Sequence, residues 1–180
     1  PYKRRDTEHV NPVMRPTKSD YDRYIWLVQQ GRECKWNADW LRKNSSFKVA
    51  DPAMHFILLR ANRDLRLIGI NLEEDISEID SWIASLEKGA SKLWNTSISS
   101  YDSFDLLNFN FAGSISSASF MCWYAGLDDE RMLIHYDRIM KKVKYGMPSY
   151  DPESERFDRK RYWRGPSWAI MNMLIGFGLE

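Results

Sequence analysis

The sequence predicts an all-α protein built from paired helices. Three observations carry this. Apolar residues recur at helical spacing over several long stretches. Short polar segments rich in Asn, Ser, Pro and Gly separate those stretches. Helix-start chemistry, a capping side chain followed by acidic residues, stands at most of the junctions. Long helix, short loop, long helix suits an array of helical hairpins or a toroid of paired helices.

Residues 1–18 are polar and contain Pro1, Pro12 and Pro16, so they read as an extended arm. Ser19 is placed to cap a first helix over about 20–33, with Asp20 and Asp22 in its first turn. Asn37 caps a short helix through Asp39, Trp40 and Leu41. Asp51 and Pro52 open a long third helix over about 52–70. Its stripe is Met54, Ile57, Leu58, Ala61, Leu65 and Ile68. Asp75, Ser77 and Glu78 start a fourth helix with Ile79, Trp82, Ile83, Leu86 and Leu93 along one face.

The period then changes. Tyr101, Phe104, Leu106, Leu107, Phe109 and Phe111 partly alternate, which predicts one short β-hairpin near 98–112. The small apolar stretch 113–126 reads as a fifth helix. Asp128, Asp129 and Glu130 open a sixth, which ends near Lys141, Lys142 and Lys144. Residues 145–160 form a polar loop, and Gly165-Pro166 open a terminal apolar helix.

Composition excludes several classes. With 43% hydrophobic and 28% charged residues the chain is not disordered. No apolar run reaches the roughly 18 residues of a membrane span, and no signal peptide is present, so the expectation is a cytoplasmic protein with no membrane partner. Lys and Arg number 26 against 25 Asp and Glu, and a net charge of +1 argues against a nucleic-acid partner. Cys34 and Cys122 make no disulfide framework and read as buried thiols. His9, His55 and His135 lie far apart, so no metal site and no cofactor is expected. The chain begins at Pro1, and its last apolar run, 167–179, wants a partner. Both suggest a single partial domain over 1–180, part of a longer protein, with self-association through uncovered apolar faces.

The aromatic content is high: eight Trp, nine Tyr and eight Phe. Aromatic rings fill cores, and they also stack on sugar rings. The strongest local signal is Arg161-Tyr162-Trp163-Arg164-Gly165-Pro166-Ser167-Trp168. It suits a core plug at a helix start. It equally suits a rigid loop offering indoles and a planar cation to a polyhydroxylated ligand. A second dense segment runs from Met14-Arg15-Pro16-Thr17 to Tyr21-Asp22-Arg23-Tyr24. There, Arg15 and Tyr21 either belong to an ordinary capped helix or face a cleft.

Together, the runs at 1–6, 14–17 and 21–24, Val49-Ala50-Asp51-Pro52, Leu58-Leu59-Arg60-Ala61-Asn62 and Tyr162-Trp163-Arg164-Gly165-Pro166 with Trp168 resemble the family 63 glycoside hydrolases. The likeness is to the mannosylglycerate and glucosylglycerate hydrolase-like branch, and it spans nearly the whole chain. It implies an (α/α)6 barrel, present here in part. It also implies inverting hydrolysis of an α-glycosidic bond by two carboxyl groups about 6.5–9.5 Å apart. The family's acid lies in an Asp-Asn-Ser-Pro-like motif and its base in a Glu-Tyr-Phe-like motif; neither motif occurs in these 180 residues. The resemblance therefore implies no catalytic residue here. It implies a substrate-binding wall of Arg15, Tyr21, Tyr162, Trp163, Arg164, Gly165 and Trp168, facing a carbohydrate or sugar-glycerate. The competing expectation is a non-catalytic helical-pair binding or scaffold module.

Overall fold

The computed structural model describes residues 2–180. Among them are seven α-helices: α1 Lys18–Glu33, α2 Ala38–Asn44, α3 Pro52–Asn71, α4 Ser77–Lys92, α5 Met121–Tyr124, α6 Leu133–Met140 and α7 Ala169–Phe177. Five two-residue strands correct the all-α expectation: β1 Val49–Ala50, β2 Trp94–Asn95, β3 Ser100–Tyr101, β4 Phe104–Asp105 and β5 Asn110–Phe111. The predicted hairpin is present as β4–β5, in register Phe104↔Phe111. Strand β1 adds to its other edge, and β2–β3 form a separate antiparallel pair. Strands β1 and β2 lie outside the alternating run, and two residues are too few to show an alternation of their own.

Local chemistry sets most boundaries. The cap of α1 is Thr17, not Ser19. The Thr17 hydroxyl accepts from the Asp20 N–H at 3.2 Å, and the Asp20 carboxylate accepts from the Thr17 N–H at 2.9 Å. Asn37 caps α2, and Asp51 caps α3 with Pro52 in its first turn, both as expected. The helix expected over 113–126 shrinks to a 3₁₀ turn, Ser117–Phe120, and the single turn of α5. Ser116 and Ser119 bond the local backbone there, an alternative to the helical ladder. The terminal helix starts at Ala169, because the residues before it run extended beside 148–149.

The core joins α3, α4, α5, α7 and the loop segments between them. Phe56, Leu59, Phe120, Met121, Cys122 and Met132 are fully buried. Leu93 of the α4 stripe belongs to this core, and Ile83 and Leu86 pack against it. Much of the stripe expected on α3 faces outward: Met54, Leu58, Leu65 and Ile68 are exposed, while its Ile57 packs against the core that buries Phe56 and Leu59. That helix is apolar on two sides, and periodicity alone does not say which side is covered. Arg63 ties the layers by donating to the carbonyls of Ala125 and Gly126 and, at 2.7 Å, to Glu87 on α4. Burial pushes the Cys122 thiol up to about 12, so it is an inert core residue, whereas Cys34 is only half-buried. Among the described residues no helix is long and apolar enough to cross a membrane.

Candidate functional site

The segment 162–168 is built as a turn that holds three aromatic rings together. Gly165 is its pivot. A Cβ there would lie 2.2 Å from the Asp158 carbonyl oxygen, so only glycine lets the two backbone stretches approach. The Asp158 N–H donates to the Arg164 carbonyl at 2.8 Å, and the Gly165 N–H donates to the buried Ser149 hydroxyl at 3.0 Å. The turn thus projects Tyr162 and Trp163 forward and carries Trp168 behind them. The Trp163 and Trp168 rings stack with centroids 5.0 Å apart and planes 27° apart. Tyr162 meets the Trp168 ring edge-on at 4.6 Å, and the Trp168 indole N–H donates to the Tyr162 carbonyl at 2.9 Å. Tyr162 and Trp163 remain about half exposed, at 48% and 51%.

A cavity of about 410 Å³ opens in front of this box. Arg161, Tyr162, Trp163 and Arg164 line one side of it; Met14, Pro16, Thr17, Asp20 and Tyr24 line the other. The two dense segments of the sequence therefore meet at one cleft. The Arg161 guanidinium fixes the meeting by donating to the Arg15 carbonyl at 3.0 Å. The Arg15 guanidinium lies 5.9 Å from the Tyr162 ring centroid. Its Nε is buried and has no hydrogen-bond partner, the one such side-chain atom among the described residues. A buried donor without an acceptor costs about 1–3 kcal/mol, so a missing acceptor is the natural reading.

Of the expected wall, Tyr162, Trp163 and Arg164 line the cleft; Arg15, Gly165 and Trp168 lie outside its lining, and so does Tyr21. Its ring stacks on Tyr2 at 6.4 Å, and the Arg4 guanidinium sits 4.2 Å from its centroid. Arg4 is itself bound to Asp6 through two hydrogen bonds, which hold the Asp6 carboxyl below its usual range. Tyr24, one turn further along α1, takes the place at the cleft that the sequence reading gave to Tyr21. Arg161 and Asp20, which belong to the two dense segments but not to the expected wall, also line the cleft. Asp20 is held low by the Thr17 hydroxyl and N–H, so it stands as a carboxylate at the cleft edge. The signal for Tyr24 was the (i, i+3) spacing from Tyr21, which puts both on one side of α1.

A second cavity, of about 600 Å³, is lined by Trp94, Tyr101, Asp129 and Arg131 among others. Its polar groups already satisfy one another. The Arg131 guanidinium covers the Trp94 ring at 3.7 Å and bonds both Asp129 oxygens, and the Tyr101 hydroxyl donates to Asp129 at 2.8 Å. Arg131 holds the Asp129 carboxyl low against the opposing effect of burial, while burial and the Asp129 hydrogen bond raise the Tyr101 phenol. This is a closed structural network. The open, unsatisfied cleft is the one beside Arg15.

Comparison with known proteins gives the same direction. The family model described as mannosylglycerate hydrolase MGH1-like glycoside hydrolase domain matches residues 1–180. The mannosylglycerate hydrolase of Thermus thermophilus is 38% identical over 184 residues, covering all of this chain and 44% of that protein. Two solved structures of a family 63 mannosylglycerate hydrolase from Thermus thermophilus, also 38% identical, superpose with TM-scores of 0.94 and 0.92 over 99% of this chain and 44% of theirs. One is a complex with Tris and D-glycerate, the other with glucose. The family match and the 38% identity place the chain among the glycoside hydrolases. Within that class the chain belongs to the mannosylglycerate hydrolase MGH1-like family of glycoside hydrolase family 63. It spans 44% of the length of the first of these relatives.

Proposed function

We propose that these residues form one wall of the substrate site in an inverting glycosidase that cleaves the α-glycosidic bond of a mannosyl- or glucosylglycerate. The helix pairs contribute part of an (α/α)6 barrel whose mouth holds the cleft. Indoles of the Trp163–Trp168 pair offer a flat apolar face to the C–H face of a sugar ring. Arg15 supplies a fixed cation for the glycerate carboxylate. Both catalytic carboxyl groups, the acid that protonates the leaving oxygen and the base that activates water, come from outside these 180 residues.

The observation that carries the reading is the unpartnered, buried Nε of Arg15 beside Tyr162, whose ring lines the cleft. A ligand carboxylate is the acceptor that would complete it. The D-glycerate and glucose held by the Thermus thermophilus relative support the same pairing of an acid with a sugar.

Arg15→Ala in the intact enzyme tests this. A hydrogen bond to a charged group contributes about 1.5–3 kcal/mol, so kcat/KM for glucosylglycerate falls by about 10- to 100-fold. A neutral aryl α-glucoside, which lacks the carboxylate, changes far less. Equal losses on both substrates would remove Arg15 from acid recognition.

A further inference from the structure

One side chain outside the cleft lining bonds the backbone of the aromatic box and the facing loop at once. Asn172 lies in the first turn of α7. Its Oδ1 accepts from the Met147 N–H at 2.7 Å, and its Nδ2 donates to the Met147 carbonyl at 2.9 Å and the Trp168 carbonyl at 3.0 Å. The helix does not need that last bond, because the Trp168 carbonyl already accepts from the Asn172 N–H at 3.1 Å. The extra bond serves the loop. Gly146, at φ +90°, leaves the space: a Cβ there would sit 2.6 Å from Asn172 Oδ1. The Gly146 carbonyl also accepts from the Ser167 hydroxyl at 3.2 Å. Residues 146–149 therefore run as a splint along 165–168, completed by the Ser149 N–H donating to the Pro166 carbonyl at 3.0 Å.

We propose that Asn172 is a positioning residue for the aromatic wall: by locking the Met147 backbone to the Trp168 carbonyl it fixes the Trp168 indole, and through it the stacked Trp163. Trp168 is then held at two ends, at its carbonyl by Asn172 and at its indole N–H by the Tyr162 carbonyl. Asn172 does not line the cleft and makes no contact with substrate in this scheme. The proposal rests on the reading of Tyr162, Trp163 and Trp168 as substrate wall.

The test is made in the intact enzyme with Asn172→Ala and Asn172→Asp. The aspartate keeps an acceptor for the Met147 N–H and loses both donations. Two readouts are taken. One is the far-ultraviolet circular dichroism couplet that two indoles in contact produce, assigned to this pair by its loss in Trp163→Phe. The other is the separate effect on KM and kcat. Asn172→Ala is expected to abolish most of the couplet and raise KM about tenfold, equal to about 1.4 kcal/mol, with kcat little changed. Asn172→Asp, which sets a carboxylate oxygen against the Met147 and Trp168 carbonyls, is expected to disturb both readouts at least as much as alanine. A variant that melts earlier but keeps the wild-type couplet and KM would overturn the proposal and leave Asn172 a helix-start residue only. Should the alanine variant not fold, the couplet and KM of Asn172→Asp decide: both unchanged overturns it. If the wild-type enzyme turns over neither sugar-glycerate, the functional reading fails while the couplet still judges the positioning.

Discussion

Helices α1 and α3 follow the same apolar rhythm, yet they sit in opposite situations. Helix α3 buries Phe56, Leu59 and Asn62 against α4 and α5 and exposes a second apolar stripe. Helix α1 buries only Gly31; Tyr24, Ile25, Trp26 and Val28 are all exposed. Its N-terminal end is fixed by side-chain bonds, the Thr17–Asp20 box and, just ahead of it, the Arg161 bond to Arg15. An amphipathic pattern thus specifies a helix and its apolar face, but not the surface that covers the face. Capping and the Arg161 bond hold the N-terminal segment, and apolar burial holds the body.

The largest effect tests that contrast directly. Phe56→Ala removes a fully buried ring, for which the general cost is about 3–5 kcal/mol. Trp26→Ala removes a ring that is 55% exposed, and is expected to cost less than about 1 kcal/mol in the 180-residue chain. Urea unfolding of the two variants measures both. Equal losses would break the comparison, because they would mean that α1 is packed as tightly as α3.

The same contrast explains what the sequence could and could not tell. Helices α1, α3 and α4 were legible because they are long and periodic, and the short α2 because Asn37 caps it. The inward face of α3 was not: Met54, Leu58, Leu65 and Ile68 keep a cleaner rhythm than Phe56 and Leu59, and only the position of α4 and α5 decides between them. The hairpin β4–β5 was legible from the alternation near 98–112, whereas β1 and β2, two residues each outside that run, show none. At the candidate site, Tyr162, Trp163 and Trp168 were legible because they share one contiguous turn. That Arg15 reaches them was suggested only by family resemblance, since the two segments lie almost the whole chain apart. Tyr21 and Tyr24 share one side of α1, and nothing local assigns the cleft to Tyr24.

Charge gives a middle-sized test. Asp151 in the body is mostly buried and takes two hydrogen bonds from Arg138, at 3.0 and 2.6 Å. Burial pushes its carboxyl up, but the Arg138 bonds and charge outweigh it and hold the carboxyl below its ordinary value. Its stabilising contribution is therefore present above the unfolded value, about 3.9, and is lost as pH falls through the lower folded value. Asp151→Asn is expected to cost about 2 kcal/mol at neutral pH, as for a lost hydrogen bond to a charged partner. It should also flatten the fall of unfolding free energy on acidification below pH ~4. An unchanged acid slope would show that Asp151 is not what the body loses.

The smallest effect belongs to the exposed pair Lys18–Asp22 on α1, 2.7 Å apart with side chains 80% and 47% exposed. Three features weaken it. The pair runs from cation to anion along the helix, the less favourable order for an (i, i+4) pair. Lys18 stands in the first turn, where the helix dipole disfavours a positive charge. And Asp22 keeps a second partner, the Tyr2 hydroxyl at 2.9 Å, when the lysine is removed. Lys18→Ala is therefore expected to change stability by no more than about 0.3 kcal/mol in either direction, and less still in high salt. A loss above about 1 kcal/mol would mean that the N-terminal segment is held by its charges as firmly as the body is held by Arg138, and the distinction between the two regions would then lie only in their apolar packing.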